Sequence, residues 1–200
     1  MQKPVLAYTI GNKRYLNITD RCTLHCTFCP KYCTTPRVHE FDLSLPQRPE
    51  TSDIIHALGE PSDYREVVFC GFGEPTLRLK PLLEIATHIK QCNGRVRINT
   101  DGLANLVHKR NVLPQLAGCV DTLSVSMNAQ SEALYQQHCQ PALAGSFQAM
   151  LDFLQQAPDY IESVTATAID GLEGVNIHAC RELAEQRNVA FRRRVLDVVG

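Results

Sequence analysis

The chain has 200 residues, 44% of them hydrophobic, with 20 Lys and Arg against 21 Asp and Glu for a net charge of −1. That is enough apolar material for the core of one domain, and it excludes a global basic field that would draw the chain to nucleic acid or anionic membrane. No apolar run approaches a bilayer span and no signal peptide precedes the 9 cysteines, whose odd number speaks against a secreted disulfide scaffold; a reducing cytoplasmic setting, without a membrane, is expected.

From the amino terminus, Val5 to Ile10 and Lys13 to Ile18 flank Gly11-Asn12 and can pair as a hairpin. A strand-like run, Arg14 to Thr19, then leads into Cys22-Thr23-Leu24-His25-Cys26-Thr27-Phe28-Cys29. The stretch from Pro36 to Pro49 reads as a long loop within the domain. Behind it, Ile54, Ile55 and Leu58 share a helix face with Ser52 as the expected cap. Further strands are expected over Glu66 to Gly71, Arg95 to Thr100, Asp121 to Ser126, Ser163 to Ile169 and Val189 to Val195. The intervening helices carry Leu82, Ile85, Ala86 and Ile89, begun near Pro81 and closed by Asn93-Gly94; Leu103 to Leu116, interrupted by Pro114; Phe147, Met150, Leu151 and Leu154; and Ile177, Cys180, Leu183 and Ala184. Strand and helix in alternation, with nearly continuous apolar strands, imply a parallel sheet covered by helices. Periodicity leaves open whether it is a doubly wound sheet or a partial barrel.

Three thiolates within eight residues carry chemistry. A cubane iron–sulfur cluster takes a ligand on each of four irons, so three cysteines on one loop leave one iron open to a small chelating molecule. A structural zinc site would need His25 or Cys33 as a fourth ligand inside a cramped loop. Cys33, four residues past Cys29, is also a candidate hydrogen-atom donor, although an ordinary loop thiol is the plainer reading; His39 is weighed in the same way. The other cysteines, Cys70, Cys92, Cys119, Cys139 and Cys180, form no second CxxC, so no auxiliary cluster is expected.

In parallel α/β proteins the reactive loops gather at the carboxyl ends of the strands. Here successive strands run into the cysteine loop, into Cys70-Gly71-Phe72-Gly73-Glu74-Pro75, into Asn99-Thr100-Asp101-Gly102 and into Ser126-Met127-Asn128. Any one of these is an ordinary tight turn; together, one per strand on one edge, they line a pocket.

The cysteine loop, with Phe28 before its third cysteine, resembles the CxxxCx(aromatic)C loop of the radical S-adenosylmethionine superfamily, and the later strand ends resemble that superfamily's motifs in order. Ile18-Thr19-Asp20-Arg21 and Cys29-Pro30-Lys31 are most similar to its TatD-associated group. The resemblance implies a partial (β/α)6 barrel over residues 14–195 behind an amino-terminal strand or hairpin, 1–13, in a single domain, 1–200. Because the chain stops just past the sixth strand, the usual sixth helix is expected to be missing. It implies Cys22, Cys26 and Cys29 as ligands of a 4Fe-4S cluster, with Phe28 near the adenine of S-adenosylmethionine. Gly71, Gly73 and Glu74 would lie at the methionine amine, and Thr100, Ser126 and Asn128 at the carboxylate or ribose; Asn128 stands where an aspartate is common. Reductive cleavage of S-adenosylmethionine would give a 5′-deoxyadenosyl radical that takes hydrogen from an unknown substrate: a nucleoside, a peptide or a partner protein under an activase. A flavodoxin or ferredoxin is the implied reductant. The rival is a zinc or iron–sulfur module without catalysis. Val189, Phe191, Val195 and Leu196 are expected to give the last strand an apolar edge, covered by the amino-terminal hairpin, a second copy or a partner. Arg192, Arg193 and Arg194 lie beside it, as stem-packed side chains or as a contact for an anion.

Overall fold

A computed structural model describes residues 4–32 and 36–196. Cys33 lies outside the described residues. Seven strands form one sheet in sequential order: β1 (Ala7–Ile10), β2 (Lys13–Leu16), β3 (Glu66–Phe69), β4 (Val96–Thr100), β5 (Thr122–Ser126), β6 (Ser163–Asp170) and β7 (Ala190–Val195). β1 and β2 pair antiparallel, Ala7 opposite Leu16, and every later pair is parallel. The expected hairpin and the six-stranded parallel core are therefore both present.

The helices are α1 (Thr51–Leu58), α2 (Leu79–Gln91), α3 (Ala104–His108), α4 (Leu113–Leu116), α5 (Glu132–Cys139), α6 (Ser146–Gln156) and α7 (Ile177–Glu185). Their buried faces meet one face of the sheet, where Phe69, Ile98, Leu123, Val125 and Ala166 join Leu82, Ile85, Met150 and Phe153 in the main core. The opposite face turns inward as the sheet curls: Arg192 on β7 lies within electrostatic reach of Tyr15 on β2 and Glu66 on β3. Among the described residues no pairing joins β1 to β7, so the barrel is partial and open.

Several local expectations change. Ser52 does not cap α1; the helix begins at Thr51 behind Glu50, which makes no side-chain cap bond. Pro114 lies in the first turn of α4 instead of interrupting a helix, since proline fits a first turn where its missing N–H is no loss; the break falls at Lys109, in the left-handed region. Helix α5 was not expected, because its sequence is mostly polar; Tyr135, His138 and Cys139 form its buried stripe. Asn93-Gly94 does close α2, with Gly94 N–H donating to Ile89 O at 2.8 Å.

The last strand differs most. The amino-terminal hairpin does not cover it but extends the β2 edge, where Asn17 Nδ2 donates to Val5 O and Leu43 O. The chain's own core covers much of its apolar surface instead: Val189 is buried, and Phe191 packs against the core with the Arg181 guanidinium over its ring. Of the four apolar residues Val195, 48% exposed, is the one left in the open. No helix follows β7 among the described residues.

Candidate active site

The strand that leads into the cysteine loop is held by its neighbour's glycines. Glu74 N–H donates to Arg21 O at 2.8 Å. A Cβ on Gly73 would stand 2.6 Å from Thr19 O and 2.8 Å from Arg21 N, and one on Gly71 would stand 2.9 Å from Asn17 Cγ. Glycine is therefore required at both positions by the approach of β3's carboxyl end to the chain entering the loop. Arg78, itself buried, adds a bond from Nη1 to Ile18 O at 2.7 Å.

The loop is strapped on its other side by the end of α5. Residues 24 and 141 form an isolated bridge, His25 N–H donates to Cys139 O at 3.0 Å, Thr27 N–H to His138 O at 2.9 Å, and Ala142 N–H to Thr23 O at 2.9 Å. His138 is in turn fixed by its Nε2 contact with Glu173 O at 2.8 Å. Within the loop, Cys29 N–H donates to Cys26 O, and Phe28 packs partly buried against the main core. Lys31 Nζ holds Asp20 O.

Beneath the loop lie two buried carboxyls. Glu74 Oε1 accepts from Thr76 N, Thr76 Oγ1 and Thr100 Oγ1 at 3.0, 2.7 and 2.9 Å, and Oε2 accepts from Asp101 N at 2.7 Å. Oε1 is thus saturated, and Oε2 alone keeps room for another donor such as an ammonium. Asp101 accepts from Thr23 Oγ1, inside the cysteine loop, and from Leu103 N at 2.9 Å. Burial holds both carboxyls above the usual carboxylate range, and the charge of Asp101 raises Glu74 further. Asp101 stands in the predicted strand-end segment, but its contact with the cysteine loop comes from the fold.

The three cysteines meet over this platform. Desolvation, then the charges of Asp101 and Glu74, push the Cys22 thiol up to about 12, although the residue as a whole is exposed. The Cys26 thiol is raised chiefly by its contact with Cys139, then by burial and by the charges of Cys139, Cys22 and Cys29. The three sulfurs therefore lie within electrostatic reach of one another. Among the described residues no three His, Cys, Asp or Glu side chains close around a single ion. His25, considered as a fourth ligand for zinc, stacks on Tyr32 with ring centroids 3.9 Å apart. A set of thiols alone, spread along a loop, suits an iron–sulfur cluster.

The remaining predicted residues divide. Thr100 belongs to the Glu74 network. Ser126 ends β5 half-buried. Asn128 adopts a left-handed backbone, φ 62°, with its N–H donating to Thr167 O and its Nδ2 to Cys139 Sγ at 3.6 Å. His39 sits in an exposed turn between Val38 and Phe41. Cys139 is the site neighbour that sequence reasoning missed: it arrives on α5, and nothing in the spacing of the cysteines marks it.

Residues 16–186 match the family model of the Radical SAM superfamily. No curated protein matches. Among solved structures, the chain is similar to TYW1 with a lysine-pyruvate adduct bound, at 15% identity and a TM-score of 0.66, over 94% of this chain and 66% of that one. It is similar to Streptococcus suis SuiB bound to S-adenosylmethionine, at 14% identity and a TM-score of 0.67, over 92% and 40%. It is also similar to the FeFe-hydrogenase maturase HydG from Carboxydothermus hydrogenoformans, at 15% and 0.60, over 93% and 45%. The chain spans from about two fifths to just under two thirds of these proteins' lengths, and at such identities the likeness is one of fold.

Proposed function

We propose that this chain, which belongs to the radical SAM superfamily, is an enzyme that cleaves S-adenosylmethionine reductively and directs the resulting 5′-deoxyadenosyl radical to a hydrogen atom of a substrate held inside the barrel. The superfamily's cofactors are a 4Fe-4S cluster and S-adenosylmethionine. When bound, they supply the electron and the radical. The observation that carries the reading is the thiol-only loop, mounted at the carboxyl end of the sheet over the buried carboxyls of Glu74 and Asp101.

The residues of this chain bind and orient. Cys22, Cys26 and Cys29 would be the ligands of the cluster. Gly71 and Gly73 bring the backbone of β3's end against the loop, and Glu74 Oε2 accepts from the methionine amine. Thr100 acts through Glu74 as a positioning residue, while Ser126 and Asn128 meet the carboxylate or ribose and Phe28 borders the adenine. Within the superfamily we place the chain with the TatD-associated group, as one domain over residues 1–200 that works in the cytoplasm with a flavodoxin- or ferredoxin-type reductant. Among the described residues no helix is long and apolar enough to cross a membrane. The unpaired side of β7 is its candidate contact with a second copy or a partner.

The test is anaerobic reconstitution followed by iron, sulfide and zinc analysis and by chromatography of the dithionite reaction. About four irons and four sulfides per chain are expected, with 5′-deoxyadenosine formed from S-adenosylmethionine. Alanine at Cys22, Cys26 or Cys29 abolishes both, while Cys92→Ala retains them. Stoichiometric zinc without sulfide would replace this reading with that of a closed metal site.

A further inference from the structure

The face of the sheet turned away from the helices is cationic. Arg97 and Asn99 on β4, Ser124 on β5, Thr167 on β6, and Arg192 and Arg194 on β7 alternate with Val96, Ile98, Leu123, Val125, Ala166, Ala168 and Phe191, which belong to the main core. Strand periodicity therefore sets the six on the inner face. They form one patch across the curled sheet. Arg192 feels Arg97 and Arg194, and its Nη2 lies 3.4 Å from Ser124 Oγ.

Acidic groups do not balance these cations. Glu66, on the same face, is already shared by Lys13 Nζ at 2.7 Å and Arg97 Nη2 at 3.4 Å. Arg194 has no hydrogen-bond or ion-pair partner among the described residues. Arg193, by contrast, points to the other face and pairs with Asp170. Two further polar atoms on the inner face, Arg97 Nε and Asn99 Oδ1, are buried without a hydrogen-bond partner. A buried guanidinium N–H left open is costly unless an acceptor arrives. Cys70, at the end of β3, lies within reach of both Arg194 and Glu74, so this patch adjoins the carboxyl platform under the cysteine loop.

We propose that this inner face is the substrate site and that the substrate carries an anionic group, a carboxylate or a phosphate, held by Arg192 and Arg194 together with Arg97 Nε. That the bound anion is a substrate rests on the radical SAM reading; the anion site itself does not. Planar guanidinium groups converging from two strands suit the paired oxygens of both anions. Asn99 Oδ1 supplies an acceptor for a hydroxyl or amine beside the anion. A carboxylate is also present on S-adenosylmethionine, so the two sources must be told apart.

The experiment uses the full chain, with and without reconstituted iron, titrated with sodium pyrophosphate and with citrate against sodium chloride at matched ionic strength. Thermal midpoint and hydrogen exchange over residues 190–195 are read. Saturable stabilisation by pyrophosphate or citrate, absent with chloride, is expected, with affinity about tenfold weaker or worse in the Arg192→Gln/Arg194→Gln variant. Arg193→Gln, on the opposite face, should bind like wild type. Cys22→Ala should lose iron yet keep anion binding, so failure of the cluster reading and failure of the anion site give different patterns. Affinity for S-adenosylmethionine, measured on the iron-loaded protein, should be equal in wild type and Arg194→Gln. Equal anion binding in wild type and the double variant, or an equal loss in Arg193→Gln, overturns the proposal. A parallel loss of S-adenosylmethionine affinity in Arg194→Gln also overturns it, by assigning the arginines to the cofactor's carboxylate.

Discussion

The rim of the barrel over β2 to β4 and the rim over β5 to β7 are built differently. The first half is close-packed: glycines without room for a Cβ, a carboxyl with a saturated oxygen, and hydrogen bonds into Arg21 O and Ile18 O and from Asn17 Nδ2 that tie the chain entering the loop to its neighbours. The second half is more polar, with Asn128 in a left-handed turn, arginines short of acidic partners and, among the described residues, a last strand paired on one side. A cofactor that is the same in every turnover calls for a rigid, preorganised seat. A substrate must enter and leave, which favours the open half.

Gly73→Ala should break the contrast most severely. Its Cβ meets backbone atoms that no rotamer change can move aside, so a loss of about 2 kcal/mol or more is expected. Iron content after reconstitution should fall with it. Wild-type denaturation midpoint and wild-type iron in this variant would show that the first half is not tightly built.

Asn17→Ala comes next. It leaves Val5 O and Leu43 O without the Nδ2 donor, at a cost of about 1–3 kcal/mol, read by chemical denaturation. A change within error would mean that these carbonyls find other donors.

Glu74 sharpens the comparison through pH. Its folded-state pKa is raised from 4.5 to about 8, so its proton is held more tightly in the folded chain. The stability this contributes is fully present below about pH 4.5 and is lost as pH rises through about 8. In Glu74→Gln that decline should flatten in denaturation profiles taken across this range, and affinity for S-adenosylmethionine should weaken. Parallel profiles for the two proteins would mean that Glu74 is ionised throughout.

The smallest effect on stability is expected at Asn128→Gly. Glycine takes φ 62° without strain, and its own backbone entropy offsets the gain, so the change should stay under about 1 kcal/mol. Affinity for S-adenosylmethionine should nevertheless drop. Unaltered affinity would remove Asn128 from the cofactor site.

The cysteine loop and the strand ends were legible because their signals are local. Thiol spacing along eight residues and a glycine-rich segment after an apolar strand survive in the sequence whatever packs around them. Helix α5 carried no such signal: with Gln136, Gln137 and His138 in its last turn its pattern is mostly polar, and the burial of Tyr135, His138 and Cys139 is conferred by the loop and the neighbouring helices. The glycines were legible as close-approach positions, but the object approached is the chain itself, the Asn17 side chain at Gly71 and the backbone of Thr19 and Arg21 at Gly73.

Taken alone, the alternation of strands and helices, the spacing of the three cysteines and the polar carboxyl edge were determined by the sequence, because periodicity and short-range spacing encode them directly. Tertiary structure decided what each of these residues faces. Glu74 and Asp101 become a platform because β3 and β4 end side by side, and Cys139 reaches Cys26 only through the return of α5. Arg97, Arg192 and Arg194 become one cationic patch because the sheet curls. Such meetings join residues far apart in the sequence, as Cys26 and Cys139 are, and their energies depend on desolvation, which no stretch of sequence contains.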